Sequence, residues 1–391
     1  MTPTTVETPT FEYKPLDPTT LADPYVAFAA LRDTPGLYWH EGMKSYVASR
    51  YDACKHVLSA NAYFAKDLSR VGHDIPENKR SVQTEDPPHR LGLRQEFRHE
   101  LHKTDLEGLC RSVADRLGDR LLAAGDDFDF ATEIAYPTAL DLTATVVGLN
   151  PEQAADYMTT HRALQRATDG GLDPARLEEG RAAGARLHQY AAEWLESDGV
   201  EALLAPARKF AKKYPPAYAI NTLAGMVNAS FSTTSAFTTG IFQLMAMDAG
   251  LVSQARIALQ NENGTQAVSE FLRFLAPAQA TNRAVVQSCE LEGVQLKPGD
   301  TVVTLMASAN RDPRVFANPD SLDLQRSGNR HLSFAAGPHM CLGKKLAEAW
   351  GQELILRLAK PGLLESFQVG APTFLDSATV RSIISLPTSR T

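Results

Sequence analysis

Cys341 stands in the stretch HLSFAAGPHMCLGKKLAEAW, His331 to Trp350, between Gly337 and Gly343. The apolar stripe Leu342, Leu346, Ala349, Trp350 and Leu354 follows at once and predicts a helix from about Leu342. A sulfur placed there meets the positive end of the helix and the backbone N–H groups that glycines leave accessible. Both favour the thiolate, the form that binds metals. A second chemical feature is ASFSTTSAF, Ala229 to Phe237, in which five of the six residues from Ser230 to Ser235 carry hydroxyls. Hydroxyls compete for backbone hydrogen bonds and lower helix propensity, so a run this dense marks a break or has work to do. A third is EFLR, where Glu270 and Arg273 are three apart and can pair on one helix face.

The elements that must hold these residues are mostly helical. Ala217 to Asp248 contains no proline and places Leu223, Val227, Phe231, Thr234, Phe237, Ile241 and Met245 three or four apart. It predicts a helix of about 50 Å, with the hydroxyl run at its middle. DPYVAFAALRD predicts a helix, GLYWHEG and KSYVASR a strand pair, YDACKHVLSA another helix, and Asp67 to Pro88 a long surface loop. Helical patterns then continue to about residue 275, with one junction marked by Gly148 as a stop, Asn150 as an N-cap and Pro151 at the first helical position. Short strands follow, NRAVVQSCEL and TVVTLMASAN, then a coil, the helix after Cys341 and a strand-like tail, TVRSIISLP. The fold class is mainly α with a minor β region. Residues 1–21, rich in Thr and Pro, read as a loose arm, and 22–391 as one domain.

Composition narrows the function. The chain of 391 residues is 43% hydrophobic and 22% charged, with no apolar run near the ~20 residues a membrane helix needs. A net charge of −7 argues against broad nucleic-acid binding, and the N-terminus lacks the basic and apolar regions of a secretory signal. Cys54, Cys110, Cys289 and Cys341 are far apart, and Cys54 and Cys110 fall in apolar helical patterns as structural cysteines. A reduced, cytoplasmic chain is expected. HELH, His99 to His102, has its histidines three apart where a zincin helix needs four, and no GxGxxG, Walker loop or GxSxG elbow is present.

The loop FAAGPHMCLG resembles the haem-binding loop of the cytochrome P-450 superfamily, with Phe334, Gly337, Cys341 and Gly343 on the family's positions and Ala335 where a glycine is usual. The resemblance implies the cytochrome P-450 fold, a triangular helical domain holding haem b between the long central helix and the Cys loop. Cys341 would be the axial thiolate, which favours O–O cleavage. Glu270, Arg273 and Arg326 of DLQR match a structural network behind that loop. DPPHRLGLR resembles the family's DPPxHxxxR element: Arg94 falls on its arginine and Arg90 on its histidine, with His89 one place early, so that Arg90 and His89 compete for the second propionate contact. Arg283 and His339 match further propionate contacts. Ala229, Ser230, Phe231, Ser232, Thr233 and Thr234 align with the oxygen-binding motif, small residues passing over the haem and Thr233 offering the hydroxyl.

Where the family carries an acid, this chain has Ser232, which supplies no proton from a titrating carboxyl. Proton delivery must then run through waters, other hydroxyls or the substrate, or ordinary hydroxylation is not the task. The resemblance implies a monooxygenase-type oxidoreductase acting on a small-molecule secondary metabolite, by hydroxylation, epoxidation or oxidative cyclisation or coupling. Electrons would come from a ferredoxin and its reductase, docking near Lys344, Lys345 and Arg98. Substrate contacts are expected from Phe231, Ala276, Ala278, Ile383 and Ile384, besides the loop 67–83 and the segment 158–168. A peroxide-driven haem-thiolate enzyme, a nitric-oxide reductase of the same fold and a non-catalytic haem sensor are the alternatives.

Overall fold

The computed structural model describes residues 11–88, 91–197, 202–261 and 263–391. The helices are α1 (Pro18–Ala22), α2 (Pro24–Asp33), α3 (Tyr51–Ser59), α4 (Leu91–Lys103), α5 (Leu106–Ala123), α6 (Tyr136–Val147), α7 (Pro151–Arg166), α8 (Pro174–Glu196), α9 (Ala205–Ala211), α10 (Pro216–Met247), α11 (Ala249–Gln260), α12 (Gly264–Leu275), α13 (Met306–Ala309) and α14 (Lys344–Leu358). Their starts follow local chemistry. Asn150 and Gln153 form a reciprocal capping box on α7 with Pro151 at its first position, and Gly148 closes α6 at φ +95°.

The 32 residues of α10 make the axis of the molecule, packed by α6, α7, α8, α11, α12 and α14. Its hydroxyls do not break it. Thr233, Thr238 and Thr239 donate to the carbonyls of Ala229, Thr234 and Ser235, each at 2.8 Å, one turn back. Buried polar groups are thereby paired inside the helix itself.

The strands are β1 (Tyr38–His40), β2 (Ser45–Ala48), β3 (Phe64–Ala65), β4 (Asp127–Asp129), β5 (Ala280–Val285), β6 (Cys289–Leu291), β7 (Val294–Leu296), β8 (Thr301–Leu305), β9 (Phe367–Val369), β10 (Thr373–Phe374), β11 (Ile383–Ser385) and β12 (Pro387–Arg390). They form a five-stranded sheet in the order β1-β2-β8-β5-β3, a three-stranded sheet β4-β12-β9, and the pairs β6-β7 and β10-β11. Only β2 and β8 run parallel among the described strands.

Three expectations change. The arm is not loose over its described part: Tyr13 is buried against Phe28 and Tyr38, and Asp17 caps α1. The strand expected across TVVTLMASAN ends at Leu305, where Met306–Ala309 turns helical. The helix after Cys341 begins at Lys344, with Gly343 as its N-cap, so Cys341 lies two residues farther outside than the periodicity implies.

Candidate active site

The Cys341 loop is closed on itself, since the Cys341 N–H donates to Phe334 O at 2.8 Å. Two residues inside it are left-handed, Ala335 at φ +56° and Gly337 at φ +68°. A Cβ at Gly337 would stand 2.6 Å from Leu58 O and 2.7 Å from Ser59 Cα, so only glycine lets the loop rest on α3. Ala335 accepts the same backbone region with a Cβ, a cost of about 1–2 kcal/mol.

Behind the loop, Glu270 receives Arg273 Nε and Nη2 at 2.8 Å each, Arg326 Nε at 3.1 Å to both oxygens, Asn329 Nδ2 at 2.9 Å and the Asp323 N–H at 2.9 Å. Glu270 and Arg273 are fully buried. Both arginines spend their remaining donors on the carbonyls of Asn310, Ala317, Asn318, Pro319 and Ser321. Asn310 in turn holds the Leu332 N–H and the Ser333 hydroxyl. The network thus reaches the first residues of the Cys loop through one buried asparagine.

The Cys341 sulfur has two opposing influences. Burial pushes the thiol pKa up, while the Gly343 N–H and the Arg94 charge pull it down, and burial prevails. The Gly343 N–H and the Arg94 charge favour the thiolate, Cys341 itself is an exposed residue of the loop, and a bound metal cation is what removes such a proton outright. The Arg94 guanidinium donates to Met340 O, beside the sulfur.

A cationic cluster adjoins the loop. Asp86 accepts His339 Nε2 at 2.6 Å, Arg70 Nη1 at 2.8 Å and the Lys66 N–H at 3.2 Å. Burial opposes its charge, but His339 and Arg70 overcome that and hold the carboxyl at about 2. Lys66 Nζ donates to Asn282 Oδ1 at 2.7 Å, next to Arg283. Burial and the Arg283 charge push the Lys66 pKa down to about 8, and burial pushes Arg283 down to about 10. One carboxylate thus faces more positive charge than it neutralises. Carboxylates of a prosthetic group would relieve that excess, and a thiol sulfur two residues from His339 is a ligand for its metal. The donor set fits haem b, with Cys341 on the metal and Arg94, Arg283, His339 and Lys66 toward its carboxylates. Lys66, Arg70 and Asp86 escaped the sequence reading because they meet His339 and Arg283 only in space. His89 and Arg90 lie outside the described residues.

On α10, Ala229 is exposed near the middle of the helix, and the half-buried Thr233 lies one turn on along the same face. The Ser230 hydroxyl accepts from Thr143 Oγ1 of α6 at 3.2 Å, Ser232 is buried, and Thr234 is half-buried. Phe231 is a correction. At 100° per residue it points about 200° away from Ala229, and it is fully buried among Tyr136, Tyr157 and His161. Ala276 is also fully enclosed, as the left-handed end of α12, and Ile383 sits in the core. Ala278 bridges Val380, and Ile384 O accepts from Arg162 at 3.3 Å. Lys344 is tied to Glu348 at 2.5 Å, while Lys345 is exposed.

The family model described as cytochrome P-450 matches residues 265–373, the span from the Glu270 helix through the Cys loop. Over 308 residues the chain is 28% identical to 20-oxo-5-O-mycaminosyltylactone 23-monooxygenase of Streptomyces fradiae, covering 76% of this chain and 70% of the relative. It is 26% identical to cytochrome P-450 monooxygenase PikC of Streptomyces venezuelae, over 98% of this chain and 95% of that one. In fold it resembles the crystal structure of CYP109E1 from Bacillus megaterium in complex with testosterone, with a TM-score of 0.82, 20% identity, and 95% and 99% of the two chains covered.

Proposed function

Because the chain belongs to the cytochrome P-450 superfamily, whose members bind haem b and act as monooxygenases, we propose that it oxidises a small secondary metabolite in the cytoplasm. The reaction is a hydroxylation, an epoxidation or an oxidative ring closure, driven by electrons from a ferredoxin and its reductase. The relative named for oxidising 20-oxo-5-O-mycaminosyltylactone supports the substrate class. No helix among the described residues is long and apolar enough to cross a membrane.

The observation that carries the reading is the Cys341 sulfur, presented by a loop that the buried Glu270 network braces. Haem b, bound through that sulfur, supplies oxygen activation, and thiolate donation tunes the metal toward it. The chain's residues do the rest. Arg94, Arg283, His339 and Lys66 would hold the prosthetic group's carboxylates. Thr233 holds its hydroxyl proton on Ala229 O and keeps lone pairs free to accept another. With Ser232 in place of an acid, protons pass along hydroxyls and water, and the Thr143–Ser230 pair is the neighbouring protein hydroxyl chain. Ser232 also favours a second reading, in which peroxide supplies oxygen, electrons and protons together.

For electron delivery, Arg98, His99 and Lys345 are all exposed and near enough to the exposed His102 for their charges to push its pKa down. Such a group suits an acidic ferredoxin. Reversing charge at Lys345 and Arg98 should slow reduction steeply at low salt. The primary test is optical: reduced protein with carbon monoxide should show the band of thiolate-ligated haem, and Cys341→Ser should abolish it. A band that survives that substitution overturns the reading.

A further inference from the structure

The hydroxyl run leaves α10 intact but loads its backbone. Thr233, Thr238 and Thr239 donate to the carbonyls of Ala229, Thr234 and Ser235, and Ser235 donates to Ser232 O at 3.1 Å. Bonds of this kind compete with the helix's own ladder, weaken it slightly and bend it. Here they crowd into about three turns, from Ala229 to Thr239. That softened stretch carries Ala229 and Thr233, the residues assigned to the oxygen face. A change of bend there moves the Thr233 hydroxyl, so an outside contact has to hold it.

Trp350 of α14 is such a contact. It is 1% exposed, and its Nε1–H donates to Thr238 Oγ1 at 3.0 Å. The Thr238 hydroxyl gives its own proton to Thr234 O at 2.8 Å, which leaves its oxygen to accept from the indole, a group that only donates. A directed chain results, from the Trp350 N–H through the Thr238 O–H to the Thr234 carbonyl. Thr238 is fully buried, and buried hydrogen bonds that point one way polarise and strengthen one another. At 100° per residue, Thr238 stands about 140° round α10 from Thr233, so the indole grips the back of the helix whose front carries the hydroxyl.

The packing admits this grip through a glycine. A Cβ at Gly351 would stand 2.7 Å from Val268 Cγ1 and 3.0 Å from Phe237 Cε1, so glycine beside Trp350 lets α14 lie against α10 and the Glu270 helix α12 together. The Cys341 loop leads directly into α14, and Trp350 falls in the second turn of that helix. One rigid element thus carries the sulfur loop at its entrance and the hold on α10 just beyond. Apolar packing alone does not account for the bond. Trp194 of α8 is 3% exposed and its Nε1 has no partner among the described residues, so this protein buries an indole without pairing it.

We propose that Trp350 and Thr238 are positioning residues, which fix the bend of α10 at Thr233 and thereby the separation of the Thr233 hydroxyl from the Cys341 loop. The inference rests on the haem-monooxygenase reading and adds to its machinery two residues that act through others.

The test reads the infrared C–O stretch of carbon monoxide on the reduced holoprotein, which responds to the polar groups facing that ligand rather than to overall stability. The width of the band in the unsubstituted protein is the reference. Thr238→Val, close in volume, and Trp350→Phe, which keeps a ring, should each at least double that width or split the band, because α10 then samples more than one bend. Thr238→Ser restores the hydroxyl and should return the reference width. Trp194→Phe removes an N–H that holds nothing and should leave the band unchanged. Combining Thr238→Val with Trp350→Phe should broaden it no further than the larger single change, since both remove the same bond. Reference width in both single variants, no rescue by serine, or equal broadening by Trp194→Phe overturns the inference. The optical band of thiolate-ligated haem keeps this result apart from failure of the haem reading: it must persist in all the variants, and its absence from the unsubstituted protein defeats the enzyme, not the positioning pair alone.

Discussion

Glu270→Gln is the substitution on which the brace behind the Cys loop stands or falls. The carboxylate receives two hydrogen bonds from Arg273, a shared one from Arg326, one from Asn329 and one from the Asp323 backbone. Glutamine removes the charge and turns an NH2 toward a guanidinium, leaving two buried cations, Arg273 at 0% and Arg326 at 9% exposure, without their counter-ion. Breaking a buried pair in this way costs about 3–5 kcal/mol, a large share of the ~5–15 kcal/mol that holds a domain folded. Glu178→Gln is the control, since its pair with Arg181 is 67% and 75% exposed and such pairs contribute about 0–1 kcal/mol. Urea unfolding followed by tryptophan fluorescence gives both values at constant slope. Hydrogen exchange should rise between residues 310 and 341, where the arginines and Asn310 hold the backbone, and the thiolate band with carbon monoxide should diminish. A loss below 1 kcal/mol with an unchanged band would refute the brace, and faster exchange confined to other segments would refute its role in fixing the loop.

Ala335→Gly should raise stability by about 0.5–1 kcal/mol in the same urea assay, because the relief of a left-handed alanine exceeds the extra freedom glycine gains in the unfolded chain. Gly337→Ala should do the reverse and erase the thiolate band, since its Cβ meets the Leu58 carbonyl. Acid should weaken the fold through His161: the unfolded imidazole takes a proton below about 6.5, the folded one only near 4, so stability present at pH 7 falls as pH drops through that window. Urea midpoints at pH 7, 5.5 and 4.5 should flatten in His161→Phe, and an unaltered slope would mean the ring is not held neutral. Ser232→Glu should raise hydroxylation if a missing acid limits proton delivery, whereas disappearance of the native product on the same chromatogram would make the hydroxyl part of the mechanism.

What could be read from the chain is what it encodes contiguously. Cys341 with its glycines, the ExxR of α12 and the 32-residue α10 each occupy one short or periodic stretch, and each appears in the structure within two residues of its expected limits. Even the hydroxyl run resolves locally, because threonine oxygens reach the carbonyl one turn back and leave the helix intact. Phe231 shows a different kind of error, for an aligned motif lists neighbours in sequence while a helix sends consecutive side chains 100° apart; the angle alone removes it from the Ala229 face. The cluster of Lys66, Arg70, Asp86, Arg283 and His339 had no such local trace. Its members span more than 270 positions and join only when the loop before α4, strand β5 and the Cys loop converge. The same holds for His161, which rings of α6 and α10 enclose. A histidine in an amphipathic pattern looks like any half-buried one until three helices close around it, and only then does burial hold the ring neutral.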